Sequence, residues 1–475
     1  MTASEPFATP AIHPRRLALV PFVLAVAFLI EQLDATVIVT ALPAMARSLH
    51  TTPLRLNLAI TGYVLSLALF IPLSGWTADR FGARRVFVLA LLAFTLASMA
   101  CGAATSLPML VGLRIVQGIG GAMMTPVGRL ILLRSFPKER LAVAMSQMTV
   151  PVLIGPALGP LLGGVLTTYA NWRWIFYINV PIGLIGAACA LRILPEIPPQ
   201  PGQRFDGRGF ALCAGGIALV QILVETLDWP GIGWGTDAGI LLAASVLLLL
   251  YGQHARRTPH AALDLSLFRI RAFRIGVVAG GFNRIGLNAC PFLLPLMLQL
   301  AFGYSAIQSG LITFLAAIGA ILTKTVTSRL LRSLGFDRLL LGNALLATLA
   351  IGGFAFAYRG VPVWVAVPYV LVFGMIRSVQ FSSSNALTFS EVPRARLGPC
   401  VSLAGVAQQL GMSFGVSLSA LMLGRLALHH VSQLDAFRIA FLLMALFPLV
   451  SVLGFLRLRA EDGAAVSHHQ RGQPA

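Results

Sequence analysis

Five ionisable side chains lie inside long apolar runs of this sequence: Glu31 and Asp34 in one block, and Arg114, Arg284 and Arg377 in three others. Charge inside hydrocarbon is costly, so each is a candidate functional group. Glu31 and Asp34 are three residues apart and share a helical face. Low dielectric favours a neutral acid, whereas a neighbouring guanidinium favours the carboxylate. A carboxyl held between those tendencies can gain or lose a proton as its surroundings change. Asp34, with Arg114 as partner and Glu31 beside it, is therefore the proton-carrying candidate. The alternative is a static ion pair that locks two helices. Arg284 and Arg377 can line a polar cavity, bind an anionic group or satisfy backbone carbonyls. Arg129 and Lys324 fall nearer the ends of their blocks, where long side chains reach the interface without a further role.

The elements that carry these groups are membrane helices. The chain has 475 residues, 57% hydrophobic and 11% charged, against about a quarter charged in a soluble chain. Its apolar stretches have the length that crosses a bilayer core. Fourteen spans are expected, at 17–43, 54–76, 85–104, 108–133, 141–168, 175–194, 209–227, 238–254, 273–300, 306–330, 339–358, 363–388, 398–427 and 436–458. Arg15 and Arg16 precede a first block that lacks a cleavage pattern, so it reads as a span and not a signal peptide. The net charge of +19 comes from Arg scattered through short gaps, which sets topology and argues against nucleic-acid binding. With the N-terminus inside, the outer segments carry only Arg47, Arg55, Arg173, Arg359, Arg425 and Arg438; the other gap cations fall inside. Both termini are then cytoplasmic, in a bacterial inner membrane. At ~1.5 Å per residue, Asp34 before Pro43 and Arg114 after Pro108 both sit roughly 9–14 Å below the outer surface, close enough in depth to pair.

Two short features recur at nearly the same offset. Leu42-Pro43 is matched by Leu294-Pro295, and the basic segment with Gly82 by one with Gly335. Repeats of this kind mark transporter folds. They divide the chain into a six-helix bundle (1–200), two inserted helices (201–258) and a second six-helix bundle with a short tail (259–475). The segment joining the inserted helices holds Glu225, Asp228, Trp229, Trp234 and Asp237, read as interfacial aromatic anchors or an acidic rim.

Four motifs occur in order. They are Leu33-Asp34-Ala35-Thr36-Val37 through Leu42-Pro43; Gly75-Trp76-Thr77-Ala78-Asp79-Arg80-Phe81-Gly82-Ala83-Arg84-Arg85; Arg114-Ile115-Val116-Gln117-Gly118; and Gly155-Pro156-Ala157-Leu158-Gly159-Pro160-Leu161-Leu162-Gly163-Gly164. In this series the chain resembles the major facilitator superfamily, and more narrowly its fourteen-helix drug:proton antiporters. The runs Arg284-Ile285-Gly286 and Phe381 through Asn385 are similar to a multidrug-transporter member of that group. Thr77 and Ala83 depart from the loop pattern, and Val39-Thr40 from the first-helix pattern. The resemblance implies an all-α membrane protein of the major facilitator fold that works by alternating access. It implies proton coupling at Asp34, Arg114 and Glu31, and a cavity drawing on helices 1, 4, 9 and 12, with Asp34, Gln117, Arg284, Arg377 and Asn385 as candidate lining residues. It implies a conformational latch at Gly75, Asp79, Arg80, Gly82 and Arg84. The antiporter motif at Gly155, Pro156, Gly159, Pro160, Gly163 and Gly164 would seal the cavity. An ordinary salt bridge from Asp79 to Arg80 or Arg84, and plain close packing by the glycines, are the simpler readings.

Other classes are disfavoured. There is no phosphate-binding loop, no His/Cys cluster for a metal and no clustered nucleophile, so neither an enzyme nor a cofactor is expected. Cys101, Cys189, Cys213, Cys290 and Cys400 lie singly in apolar blocks. The expected partners are membrane lipid, a small-molecule substrate and protons, without nucleic acid; a periplasmic adaptor stays open. The expected function is proton-coupled export of drug-like compounds. The alternative is export of one metabolite, with an anionic one suiting the cavity Arg residues, and a sensor or membrane enzyme ranks below both.

Overall fold

The computed structural model describes residues 14–136, 138–199, 205–227, 229, 233–258, 261–393, 396–459 and 461–463. Asp228, Arg204, Arg394 and Arg471 lie outside them, as do the side chains of Arg15, Lys138 and Lys324. The chain is all-helical across fourteen membrane-length segments. They are α1 (Pro14–Ser48), α2 (Asn57–Phe81), α3 (Ala83–Gly102), α4 (Leu107–Ser135), α5 (Lys138–Tyr169), α6 (Trp174–Ile193), α7 (Gly207–Thr226) and α8 (Trp234–Arg257). After a short 3-10 turn (Leu265–Arg269) come α9 (Arg271–Ala301), α10 (Ala306–Leu322, continuing over 324–334), α11 (336–353), α12 (Val363–Ser390), α13 (Leu397–Leu428) and α14 (Gln433–Phe455). Twelve candidate spans are long and apolar by themselves; α5 and α10 complete the fourteen.

Several helices overrun their apolar blocks. The segment expected as a loop over 76–85 is helical but for Gly82, which takes φ 90° and ends α2 while starting α3. Gly335 does the same between α10 and α11 at φ 75°. Left-handed backbone is accessible to glycine at little steric cost, so a single residue can reverse the chain. The two glycines occupy matching places between the second and third helices of each bundle. In α9, Pro291 and Pro295 remove two backbone donors, and the helix relaxes into a π-turn over Met297–Ala301.

Packing groups α1 with α5 and α6, and α4 with α2 and α3; it likewise groups α9 with α12, α13 and α14, and α10 with α12. The two groups meet along two flanks, α5 against α10 and α2 against α13. The α7–α8 pair packs on itself, and α7 touches both α2 and α13. Apolar side chains of α8 such as Leu241, Leu242 and Leu249 are exposed, as expected of a surface that faces lipid.

Candidate functional site

A cavity of about 1880 Å³ opens at one end of the molecule. Its wall is built from the C-terminal parts of α2 and α4, the N-terminal part of α13 and the segments flanking α7 and α8. Phe28, Glu31 and Gln32 of α1 also line it. Glu31 is 8% exposed and accepts a hydrogen bond from Thr125 Oγ1 at 2.6 Å. Arg129 lines the same wall. Aromatic rings gather at the mouth, where Trp76 packs against Phe81 and Phe205.

One turn beyond Glu31, Asp34 is closed off from this cavity. Its side chain and that of Arg114 are both fully buried and form an ion pair. The other carboxylate oxygen accepts from Gln117 Nε2 at 2.9 Å and Asn179 Nδ2 at 3.0 Å. Arg114 also donates to Gln117 Oε1 at 2.8 Å and to the Ala59 carbonyl at 3.1 Å, and its guanidinium lies 4.1 Å from the Tyr63 ring centre. Asn179 reaches Ser98 Oγ at 3.0 Å. One carboxylate therefore ties together side chains from α1, α4 and α6, with α2 and α3 one contact further out. The sequence pointed to Asp34, Arg114 and Gln117. It did not point to Asn179, Ser98 or Tyr63, whose only signal is a polar atom inside an apolar block.

The glycines of α5 explain how α1 can be held this closely. A Cβ on Gly159 would lie 2.0 Å from Thr36 Oγ1, and one on Gly163 would lie 2.3 Å from the Val37 carbonyl. Gly155 faces Leu29 and Gln32. Three glycines spaced by four residues thus press α5 onto the face of α1 that flanks Asp34. Gly164 faces the other bundle, with Ala306 O 2.6 Å from its would-be Cβ, and Gly310 of α10 meets the Pro160 carbonyl at 2.4 Å in the same sense. Pro156 and Pro160 stand inside α5, which runs on through both. These α5–α10 contacts, and a hydrogen bond from Gln299 Nε2 to the Thr40 carbonyl at 3.1 Å, lie at the end opposite the cavity mouth.

The remaining candidates fall in two places. Asp79 pairs with Arg134 of α4 at 2.7 Å, within its own bundle and not with Arg80 or Arg84. Arg84 bonds Glu196 at 3.2 Å and the Leu191 carbonyl. Gly75, Asp79 and Arg80 line the cavity mouth, with Leu397 and Gly398 of α13 also in its wall. In the second bundle, Arg284 donates to Asn385 Oδ1 at 2.6 Å, which also accepts from the cavity-lining Gln408 at 2.8 Å. Arg284 and Arg377 lie 5.5 and 5.6 Å from the centre of one ring, Phe381. Arg377 reaches Asn288 Oδ1 at 3.4 Å. In this conformation Asp34, Gln117, Arg284, Arg377 and Asn385 stand behind the cavity wall and do not line it, and α9 contributes no lining residue. Gln408 and Gln409 of α13, unmarked by the sequence reading, do line it.

At the mouth, Asp206 caps α7. Burial pushes its carboxyl up, but hydrogen bonds from the Gly209 amide, His254 and the Ala262 amide outweigh burial and hold it below the usual carboxylate range.

Residues 24–416 match the Major Facilitator Superfamily. The chain belongs to that superfamily. Relatives within it include the "Putative multidrug resistance protein MdtD" of Klebsiella pneumoniae (strain 342), 38% identical over 450 residues, covering 93% of this chain and 95% of that protein. The protein of the same name from Escherichia coli O139:H28 is 37% identical over 459 residues, covering 95% and 97%. Solved structures of superfamily fold include a D-xylose–proton symporter (TM-score 0.65, 16% identity, 90% of this chain and 96% of that one). An auto-inhibited POT family peptide transporter is also similar (TM-score 0.68, 18% identity, 94% and 98%). At these identities the likeness establishes the fold. As a superfamily member this chain is a multi-pass membrane transporter of a small-molecule substrate and not an enzyme.

Proposed function

We propose that this transporter is a proton-coupled exporter of amphipathic, drug-like compounds, working by alternating access between the bundles 1–200 and 259–475, with 201–258 inserted. The observation that carries the reading is the stacking of two carboxylates along α1. Glu31 faces an open, aromatic-rimmed cavity, while Asp34 lies one turn deeper, sealed against Arg114. An exchanger needs a proton site that is closed to one side while the substrate space is open to it. With the basic segments cytoplasmic and bacterial relatives at hand, the cavity mouth faces the cytoplasm of the inner membrane and the sealed end faces out. Proton entry at Asp34 from outside then accompanies substrate release. Disengagement of Asp79 from the opposite bundle fits a latch that is open in this inward-facing state. The test is a compound screen in an efflux-deficient host, with and without an uncoupler. Compounds that the wild type excludes only while the gradient stands, and that Asp34→Asn fails to exclude, support the reading. Exclusion that survives the uncoupler opposes it.

One observation favours a second reading, export of a specific anionic metabolite. Among the described residues no carboxylate lies within ion-pair distance of Arg284 or Arg377, and Arg284 Nε has no hydrogen-bond partner. A guanidinium withdrawn from water without a counter-charge is costly; Arg284 is buried and Arg377 half-buried, and an acidic substrate group would supply that counter-charge. Arg377→Ala should then impair acidic substrates selectively; equal loss for cationic and acidic compounds would remove this reading.

A further inference from the structure

The inserted helix α7 carries a carboxylate that touches both bundles. Glu225 stands in the last turn of α7, at the end opposite the cavity mouth. Its Oε2 accepts from Asn57 Nδ2, the first residue of α2, at 2.8 Å. Its Oε1 accepts from Gln221 Nε2 at 3.1 Å and from the Ser417 hydroxyl of α13. Gln221 Nε2 also donates to Ser417 Oγ at 2.6 Å. Asn57, Gln221 and Ser417 are 5%, 2% and 1% exposed, and Glu225 itself is half-buried, so the partners' side of each bond is shielded from water. A second tie runs beside the first, from Arg425 of α13 to the Leu227 carbonyl just past α7.

α2 belongs to one bundle and α13 to the other, and the two helices form one of the flanks along which the bundles meet. The other flank, α5 against α10, is closed at this same end by glycines and backbone, with Gly164 and Gly310 in contact across it. The closed end is therefore held by apolar close packing on one side and by a charged, three-helix hydrogen-bond cluster on the other. Hydrogen bonds to a charged group are the stronger ones and are broken at greater cost. If that end is to open, Asn57 and Ser417 must part, and one carboxylate cannot keep both.

We propose that α7 is a clasp on the closed end, with Glu225 as its hook: the carboxylate holds one bundle through Asn57 and the other through Ser417, so the inserted pair sets how readily that end opens. The clasp goes beyond the export reading, because it concerns the resting balance between conformations whatever is carried.

The experiment uses the full chain in lipid nanodiscs, with its native cysteines replaced and spin labels at Thr52→Cys and Leu428→Cys, one on each bundle at the closed end. Pulsed dipolar distances are compared for the otherwise unaltered chain, Glu225→Gln, Glu225→Ala, Asn57→Ala and Glu225→Ala/Asn57→Ala. The open-to-closed ratio is expected to rise about tenfold in Glu225→Ala, in the range for lost charge-assisted bonds. It should rise in the same direction in Asn57→Ala and no further in the double variant, since both substitutions release one tie. Unchanged distances in Glu225→Ala and Asn57→Ala would overturn the clasp, as would additive shifts in the double variant. The isosteric Glu225→Gln keeps the fold, so a shift there cannot be ascribed to misfolding. The readout needs neither substrate nor proton gradient, so it can fail or succeed independently of the export reading.

Discussion

Neutralising Asp34 and Arg114 singly and together separates a working proton site from a strut. Both side chains are fully buried, so removing one charge strands the other where water cannot reach it. Arg114 facing Asp34→Asn would keep neutral partners, the Ala59 carbonyl, Gln117, the Tyr63 and Phe176 rings and the new amide oxygen, but no counter-charge. Asp34 left alone by Arg114→Gln would keep the amides of Gln117 and Asn179. Breaking a buried pair from one side costs about 3–5 kcal/mol because a charge is left uncompensated, whereas replacing both partners leaves no stranded charge. Each single variant should therefore lose about that much stability, and the double variant should recover most of it. The assay is unfolding of detergent-solubilised protein for each member of the cycle, followed by gradient-driven flux in proteoliposomes. A proton site predicts a double variant that is stable and inactive. A double variant recovering both stability and gradient-driven flux would refute the assignment and leave a static pair. Additive losses of stability would show that the two groups are not one energetic unit.

Other perturbations follow from the same geometry. Gly163→Ala should destabilise the fold by about 1–3 kcal/mol, because its Cβ meets the Val37 carbonyl at 2.3 Å; Gly75→Ala, inside α2 with nothing within 4 Å, should cost no stability and raise it by up to about 1 kcal/mol in the same unfolding assay. Glu31→Gln keeps an acceptor for Thr125 but removes the cavity charge, so KM for cationic substrates should rise about tenfold, the loss expected for about 1.4 kcal/mol, while neutral ones are spared. Asp206 has a depressed folded pKa, so its stabilisation is present above the unfolded carboxyl value and is lost as pH falls through the folded one. The stability gap between wild type and Asp206→Asn, read by thermal unfolding, should accordingly hold at neutral pH and close below about pH 4.

The number and order of the helices were legible because lipid imposes a length on each apolar block. Their ends were less so. The residues from Thr77 to Phe81 read as a loop because polarity returns there, yet the α2 backbone continues to Phe81 and only Gly82 breaks it. The pairing of Asp34 with Arg114 could be anticipated from depth alone, since rise per residue is fixed in a helix. Which side of the cavity wall each would occupy could not, because that depends on rotation about the helix axis. Glu31 and Asp34 share a face in the sequence, yet one meets the cavity and the other the bundle core. Asn179 and Ser98 escaped notice because single small polar residues are common in membrane helices and only the fold brings these two to Asp34. Glu225 was read as part of a joining segment, and its link to Asn57 and Ser417 spans 168 and 192 residues, beyond any local pattern.

The central claim is that proton movement and substrate movement are one event passing through Asp34. It is tested most directly by loading proteoliposomes with a pH-sensitive dye, adding a transported compound from the cavity-mouth side under an imposed pH gradient, and recording the proton flux that the compound evokes. The account predicts a substrate-evoked discharge of the gradient in the wild type and none in Asp34→Asn. Substrate flux that proceeds without any evoked proton flux, or an undiminished discharge in Asp34→Asn, would contradict it.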